Sequence, residues 1–238
     1  GKCYLSLQTY GASANRGACY QLCRRGYEVT DLETGTKLNI DNKYIMSPKD
    51  LCTIEFMDKI IDAGVKVFKI EGRARSAEYV KKTAECYRRA ADAVCEGLYT
   101  PELAASLKEE LSEVFNRGFW DGYYQGAKLG EWSDVYGSHA TRKKIYCGKI
   151  TNWFDRISVA EVLVESEALR KGDDILIIGE TTGVIEQNVS EIRVDLKPTD
   201  EAGKGTLCSI HIIFPDDIRT PGGKKIRRGD KVYIWREV

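Results

Sequence analysis

Apolar residues recur at helical spacing in the segment that follows residue 46. Such spacing over several turns is typical of an amphipathic helix with one buried face. Ser47 is a favourable N-cap, Pro48 suits the first helical turn, and Gly64 is a common residue just after a helix end. The pattern therefore predicts a helix from Ser47 to Gly64. Its apolar positions are Leu51, Ile54, Met57, Ile60 and Ile61.

Residues 65–70 (VKVFKI) are predicted to form a strand, and two further helices follow. Ser76 would cap the first of them, which ends near Gly97. Thr100 and Pro101 would start the second. Helices that alternate with a strand over short connections are typical of an α/β layer or barrel. The first part of the chain is therefore predicted to be α/β.

Short β runs separated by turn residues fill the chain from residue 141 onward. Their frequency predicts a small closed β-barrel. The stretch before them holds a helix and a connector rich in Gly, Tyr and Trp. We therefore expect an α/β region at 1–99, a helix and aromatic connector at 100–140, and a β-barrel at 141–238. The predicted strands are residues 144–153, 157–164, 174–178, 183–194, 206–213 and 231–235.

The composition narrows the class of protein. Of the 238 residues 42% are hydrophobic and 30% are charged, which is enough apolar material for a core and excludes a disordered chain. Lys+Arg and Asp+Glu are equal at 36 each, so the chain is not basic throughout, as many nucleic-acid binders are. No apolar run reaches the roughly 18 residues that a membrane span needs. Because no targeting segment is recognisable, we expect a cytoplasmic protein.

Four of the eight cysteines lie within the first 52 residues, at Cys3, Cys19, Cys23 and Cys52. In a reducing compartment such cysteines bind metals, act as nucleophiles or fill apolar space. Four thiolates with one close pair can hold an iron–sulfur cluster, and they can also hold zinc, for which Cys-x2-Cys is the commoner spacing. A catalytic thiol and simple burial are the alternatives. The cysteines predicted to pack in the interior are Cys86, Cys95, Cys147 and Cys208.

Two groups of charged residues are candidate contacts for anions. Glu71 and Arg73 follow the strand predicted before them, and in parallel sheets chemistry gathers at the carboxyl ends of strands. They either orient an anionic ligand or form an ordinary surface pair. At the entrance to the predicted barrel, the basic side chains either contact phosphates or form a solvated face. These basic residues are Arg142, Lys143 and Lys144.

Several sequence blocks resemble the collagenase-like peptidase family, peptidase family U-32. The first block is similar to the closing half of a family signature, and the upstream half, with another cysteine, would precede Gly1. Because the chain opens on Gly1 rather than on Met, we expect a cut inside a longer protein. The blocks are GKCYLS at residues 1–6, NRGAC at 15–19, CR at 23–24, SPKDLC at 47–52 and FKIEGR at 68–73.

The resemblance implies a fold and a chemistry. Family members have a catalytic domain similar to a TIM barrel, of which the C-terminal part would be present here, followed by a β-barrel similar to that of translation factors. Several members are oxygen-independent hydroxylases that carry a 4Fe–4S cluster on four cysteines, and some use prephenate as the hydroxyl source. The layout most resembles the branch that forms 5-hydroxyuridine at the wobble position of transfer RNA (tRNA).

The same resemblance assigns roles to residues of this chain. The implied cluster ligands are Cys3, Cys19 and Cys52, with the missing upstream cysteine as the fourth. Cys23 belongs to the same block, as a ligand or as a neighbour of the ligands. Arg142, Lys143 and Lys144 would help to hold the tRNA. Glu71 and Arg73 would line the site of a small carboxylate such as prephenate, and the chain alone is expected to be inactive.

Two other functions compete with RNA hydroxylation. A collagenase-like peptidase would use Cys3 or Cys19 as its nucleophile, but no histidine occurs in the first 138 residues to activate a thiol. A non-enzymatic module would instead bind RNA or the ribosome through its barrel, with zinc holding the cysteine-rich loop.

Overall fold

In a computed structural model, the chain divides into two compact units, Gly1–Ala140 and Thr141–Val238. The structure describes residues 4–13, 16–38, 46–72, 75–134, 137–214 and 226–238. Within these ranges, no helix combines the length and the apolar character that crossing a membrane requires.

Helices dominate the first unit. They are α1 (Tyr4–Tyr10), α2 (Met57–Asp62), α3 (Ala77–Glu96) and α4 (Pro101–Ser112), with single 3-10 turns at Leu22–Arg24 and Ile54–Phe56. α3 follows Ser76 and ends at Gly97, whose φ of 71° lies in the left-handed region that favours glycine. The hydroxyl of Thr100 caps α4 by accepting a hydrogen bond from the amide of Leu103 (3.2 Å). The predictions of α3 and α4 are thus confirmed.

One apolar core holds these helices together. Ile54, Met57 and Leu107 are completely buried where α3 packs against α2 and α4. Burial of each such side chain contributes about 1.5–3 kcal/mol to stability. The core also includes Cys52 and Cys86, so two of the thiols lie among apolar side chains.

Two segments of the first unit differ from the sequence prediction. Asp50–Leu51 forms the strand β3 instead of the start of a helix, and Pro48 makes an antiparallel bridge with Trp132. Residues 65–70, predicted as a strand, have no regular secondary structure, and Val67 is 84% exposed. The reason is the same in both cases, because an extended segment needs a hydrogen-bonded neighbour. Residues 48–51 have one, whereas residues 65–70 pair with no strand within the described ranges.

Two short ladders complete the first unit. β1 (Val29–Thr30) and β2 (Lys37–Leu38) pair as antiparallel strands. β3 pairs in parallel with β4 (Phe119–Trp120), which belongs to the aromatic connector. This second ladder joins segments nearly 70 residues apart, and it places the residues just before β4 next to the start of β3.

Antiparallel strands form the second unit. They are β5 (Arg142–Phe154), β6 (Val159–Val164), β7 (Leu169–Arg170), β8 (Asp174–Gly179), β9 (Gly183–Asn188), β10 (Ile192–Val194), β11 (Lys197–Thr199), β12 (Glu201–Ala202), β13 (Leu207–His211) and β14 (Lys231–Glu237). Eight of them form one sheet in the order β11-β10-β13-β6-β5-β14-β8-β9, and β7 pairs with β12. The alternating burial of β6, at Ala160, Val162 and Val164, is typical of a sheet with one face on a core. The predicted strands are confirmed, except that the run at 183–194 is divided between β9 and β10.

The large sheet curves strongly. The side-chain amide of Gln187 in β9 donates to the carbonyl oxygen of His211 (2.8 Å), and its oxygen accepts from the amide of Ile213 (2.9 Å). β9 therefore lies against the end of β13, although the described parts of β9 and β11 form no ladder with each other.

The fold is thus one unit of mixed helices and short strands and one with a large sheet. Neither a TIM barrel nor a translation-factor barrel is shown by the described residues.

Candidate functional site

The paired cysteines lie on a short, well-fixed loop of the first unit. Gln21, between them, has a φ of 52° and precedes the 3-10 turn Leu22–Arg24. The amide of Gln21 donates to the sulfur of Cys19 (3.4 Å), and the hydroxyl of Tyr27 donates to the carbonyl of Leu22 (2.7 Å). Since Leu22 is itself buried, the loop is anchored between Cys19 and Cys23 and leaves both thiols partly exposed.

Cys52 has a different environment. It follows β3, donates its amide to the carbonyl of Trp120 (2.9 Å), and has the Tyr87 hydroxyl 3.9 Å from its sulfur. Burial raises the pKa of this thiol, and the hydrogen bonds from Ile54 and Tyr87 oppose that effect only in part. A buried thiol of this kind stays protonated at neutral pH unless a bound metal displaces the proton.

The other cysteines divide into two groups. Cys86, Cys147 and Cys208 are buried, and burial raises the pKa of the first two to about 12 and that of Cys208 to about 11. These three pack in the interior as predicted. Cys95 is exposed near the end of α3, so the prediction that it packs in the core was wrong. In the last turn of α3, Ala93 is buried and Val94 packs against the core, whereas Cys95 lies on the exposed side.

The predicted cluster ligands are only partly placed by the structure. Cys3 lies outside the described residues. Among the residues that are described, no group of three or more His, Cys, Asp or Glu side chains is arranged to hold a metal ion. Cys19, Cys23 and Cys52 therefore do not fit a cluster by themselves. A cluster site on this chain would depend on Cys3, and the ligand set stays a prediction.

A compact charge cluster forms where β3 meets the connector. The carboxylate of Asp50 accepts hydrogen bonds from the Arg75 guanidinium (3.1 Å) and from both the guanidinium and the amide of Arg117 (3.0 Å each). The side chains of Asp50, Arg75 and Arg117 are 20%, 14% and 13% exposed. Two guanidinium groups thus share one carboxylate in a largely buried position.

Aromatic rings fix the planes of these guanidinium groups. Arg75 lies over the rings of Phe115 (4.6 Å) and Tyr79 (4.8 Å), and Arg117 lies over Phe115 (5.2 Å). Such stacking is more favourable for arginine than for lysine, because the guanidinium is planar and weakly hydrated. The arginines are therefore held rigidly before any ligand arrives.

The charge cluster opens into a cleft of about 370 Å³. Its lining includes Tyr20, Arg24, Arg25, Ser47, Phe115 and Arg117, and no carboxylate occurs among its described lining residues. Arg24 donates to the hydroxyl of Ser47 (3.0 Å) and to the carbonyl of Pro48 (3.4 Å), both of which are neutral acceptors. The cleft therefore presents positive charge, and it is lined in part by Tyr20 and Arg24, the chain neighbours of Cys19 and Cys23.

The pKa of Arg117 reflects its burial and the charges around it. Burial lowers the pKa of its guanidinium, and repulsion from Arg24 and Arg75 lowers it further. The carboxylate of Asp50 acts in the opposite direction. An anion in the cleft would relieve the same repulsion.

The structure does not place the predicted charged residues at the cleft. Glu71 is exposed and is not among the residues that line the cleft, and Arg73 lies outside the described residues. Sequence reasoning missed Arg24, Arg75 and Arg117, because their convergence depends on contacts between distant segments. The only local signal was the aromatic residue Phe115 two positions before Arg117.

Arg142, Lys143 and Lys144 form a basic strip at the start of the second unit, and only part of this strip is available to a ligand. Arg142 is bound by Asp174 (2.6 Å) and by the carbonyl of Trp235 (2.9 Å), and its side chain is 17% exposed. Lys143 and Lys144 are exposed, and the Lys144 ammonium lies 5.2 Å from the centre of the Tyr233 ring. A role of this strip in holding RNA stays a prediction.

The structure thus combines a helical unit that carries an arginine-lined cleft with a second unit of antiparallel strands. The family model described as Peptidase family U32 matches residues 1–134, which is more than half of the chain. The chain belongs to this family, as the sequence blocks indicated.

Named relatives carry two kinds of description. A "Collagenase" of Porphyromonas gingivalis strain W83 is 54% identical, over 98% of this chain and 54% of the relative. An "Uncharacterized protease" of Methanocaldococcus jannaschii is 35% identical over 100% of this chain and 56% of the relative. The "tRNA hydroxylation protein P1" of Bacillus subtilis is 30% identical over 75% of this chain and 43% of the relative. The chain spans about half the length of the curated relatives it matches.

Proposed function

We propose that the full-length protein is an RNA hydroxylase that forms 5-hydroxyuridine at the wobble position of tRNA, with prephenate as co-substrate. The observation that carries this proposal is the guanidinium-lined cleft, whose lining residues Tyr20 and Arg24 follow Cys19 and Cys23 in the chain. It offers a small carboxylate a binding place next to thiols that are partly exposed. The similarity to a tRNA hydroxylation protein supports the same activity.

Within this proposal, a 4Fe–4S cluster is held by Cys3, Cys19 and Cys52 together with a cysteine upstream of Gly1. Cys23 is a fourth thiol of the same region, and zinc is the competing metal. A bound cluster would supply redox or Lewis-acid chemistry at the site. The chain's own contribution is to hold the co-substrate through Arg24 and Arg117.

The rest of the molecule has supporting roles in this proposal. The first unit forms the last part of a TIM-barrel-like domain, and the second is a barrel similar to that of translation factors. Lys143 and Lys144, with Arg142 behind them, contact the tRNA backbone. We place this activity in the cytoplasm.

Proteolysis is the second candidate, because two of the relatives named above are called collagenase and protease. A cysteine nucleophile needs a nearby base. Among the described residues no hydrogen bond joins a cysteine to a histidine, and the ring of His139 pairs instead with Asp134 (2.9 Å). The described residues thus give no support to a cysteine nucleophile, and RNA hydroxylation remains our proposal.

The activity is tested by expressing the full-length protein in a bacterial strain that lacks its own tRNA hydroxylation proteins. Mass spectrometry of tRNA nucleosides should then detect 5-hydroxyuridine. Cys19→Ala should abolish the product, whereas the matched control Cys95→Ala, at an exposed position, should leave it unchanged. Absence of the nucleoside, together with gelatin cleavage that requires Cys19, would instead establish a peptidase.

The metal is tested separately by anaerobic purification followed by iron, sulfide and zinc analysis. We expect about four iron and four sulfide per chain. Cys52→Ala should lower both, and Cys95→Ala should not. One zinc without iron would replace the cluster proposal with a structural zinc site.

A further inference from the structure

We propose that Tyr20, supported by Tyr10, stacks against one unpaired base of the RNA substrate, and that Arg25 binds a phosphate beside that base. The three residues form what we call the stacking surface. The inference rests on the proposed function in taking RNA as the substrate, and it gives the RNA a contact on the first unit.

Two tyrosine rings lie side by side at the surface of the first unit. Tyr10 is the last residue of α1, and Tyr20 directly follows Cys19. The ring centres are 5.2 Å apart, the planes are inclined by 52°, and the two residues are 53% and 62% exposed. Because each residue is more than half exposed, the pair leaves aromatic surface open to a third ring.

The backbone of Tyr20 is fixed before any ligand binds. Its amide donates to the hydroxyl of Ser6 (3.1 Å), and Ser6 is completely buried in α1. On its other side, Gln21 leads into the 3-10 turn Leu22–Arg24, in which Leu22 is buried. Tyr20 is thus held between α1 and this turn, so stacking requires little further ordering of the chain.

Positive charge beside the rings decides which aromatic ligand fits. Tyr20 lines the same cleft as Arg24, Arg25 and Arg117, and no carboxylate occurs among the described lining residues. Arg25 is exposed and makes no ion pair within the described ranges. Proteins bind single-stranded nucleic acids with aromatic rings beside guanidinium groups, because each base offers a face for stacking and each nucleotide carries a phosphate.

The base that stacks on Tyr20 must be unpaired and unstacked. In an RNA helix the face of each base is covered by its neighbours, so an aromatic side chain cannot reach it. The wobble uridine lies in a loop of the tRNA, where bases can turn outward and stack on aromatic side chains. The stacking surface therefore fits the loop of the tRNA and not one of its helical arms.

Fluorescence anisotropy with the purified full-length protein tests the stacking of a base. The probes are a short single-stranded oligouridine, an abasic strand of equal length and charge, and an RNA duplex of the same length. We expect the oligouridine to bind about 10- to 100-fold more tightly than either of the others, since stacking of one base contributes on that scale. Equal affinity for the oligouridine and the abasic strand, or no binding of either, would overturn the proposal.

Variants of Tyr20 locate the base. Tyr20→Ala should weaken oligouridine binding about 10- to 100-fold, whereas Tyr20→Phe keeps the ring and should bind like the parent. Tyr124→Ala is the matched control, because Tyr124 is a similarly exposed tyrosine of the same unit (67%), and it should have no effect. The stacking role is wrong if Tyr20→Ala binds like the parent, or if Tyr20→Phe loses as much affinity as Tyr20→Ala.

Salt dependence separates the phosphate contact from stacking. Arg25→Gln should reduce the slope of log affinity against log salt concentration by about 0.7, because one phosphate contact to a single strand is lost. Tyr20→Ala should leave this slope unchanged. Arg88→Gln, which removes an exposed arginine of α3, is the control and should change neither affinity nor slope. An unchanged slope in Arg25→Gln would contradict the phosphate contact.

The outcomes separate this inference from the proposed function. If Tyr20→Ala loses oligouridine binding while the parent forms no 5-hydroxyuridine, the stacking surface stands and the activity is wrong. If the parent forms 5-hydroxyuridine and the KM for tRNA is unchanged in Tyr20→Ala, the activity stands and the stacking surface is wrong.

Discussion

Replacing Asp50 with asparagine isolates the energetic role of the charge cluster. The carboxylate compensates Arg75 and Arg117, whose side chains are 14% and 13% exposed. Removing one partner of a buried ion pair lowers the free energy of unfolding by about 3–5 kcal/mol, because the other charge remains desolvated. Asp50 is itself 20% exposed, which places the expected loss at the lower end, about 3 kcal/mol.

Chemical or thermal unfolding measures this loss. For a unit of this size, about 3 kcal/mol lowers the midpoint temperature by roughly 6–12 °C. Hydrogen exchange should localise the effect to residues 4–134 and leave the protection of the second unit unchanged. Asp92→Asn breaks the exposed Arg88–Asp92 pair and is the matched control, for which we expect no measurable change. A loss below about 1 kcal/mol for Asp50→Asn would refute the argument that Asp50 compensates buried charge.

Two further predictions concern the second unit. Gly148→Ala should lower the free energy of unfolding of this unit by at least about 2 kcal/mol in urea, because the new Cβ would lie 2.0 Å from the carbonyl oxygen of Leu163. Gly203→Ala is the control, because a Cβ at that position meets no atom within 4 Å, and it should cause no such loss. Because burial raises the pKa of Cys147 to about 12 and that of Cys208 to about 11, against 9.0 for a free thiol, the folded state retains protons that the unfolded chain loses. Stability should therefore fall as the pH rises from about 9 toward 12, and Cys208→Ala should reduce that slope.

The sequence predicted the parts of the fold that local signals decide. Thr100 and Ser47 precede prolines in the same way, yet only Thr100 caps a helix. Around Ser47 the backbone bonds instead to a distant segment, since its carbonyl accepts from the amide of Ser133 (2.7 Å). Such a long-range partner outweighs a local capping preference, and one sequence gives no sign of it.

In the candidate site, too, local sequence signals predicted one part, and the other part depends on long-range contacts. The spacing of Cys19 and Cys23 drew attention to a loop whose residues Tyr20, Gln21 and Arg24 line the cleft, and the chemical role of the two cysteines stays a prediction. Arg75 and Arg117 could not be found in this way. They meet through Asp50 and the ring of Phe115, and apart from Phe115 nothing in the local pattern distinguishes them from the other arginines and lysines of a charge-balanced chain.

The parallel ladder of β3 and β4 also affects the order in which the protein can be built. Asp50 and Arg117 lie 67 positions apart in the chain, yet their side chains meet at 3.0 Å. Closing so long a loop has an entropic cost that is recovered only when the intervening helices have packed. During synthesis, the cleft can therefore form only after the connector has left the ribosome, so that capacity to bind a ligand there signals a completed first unit.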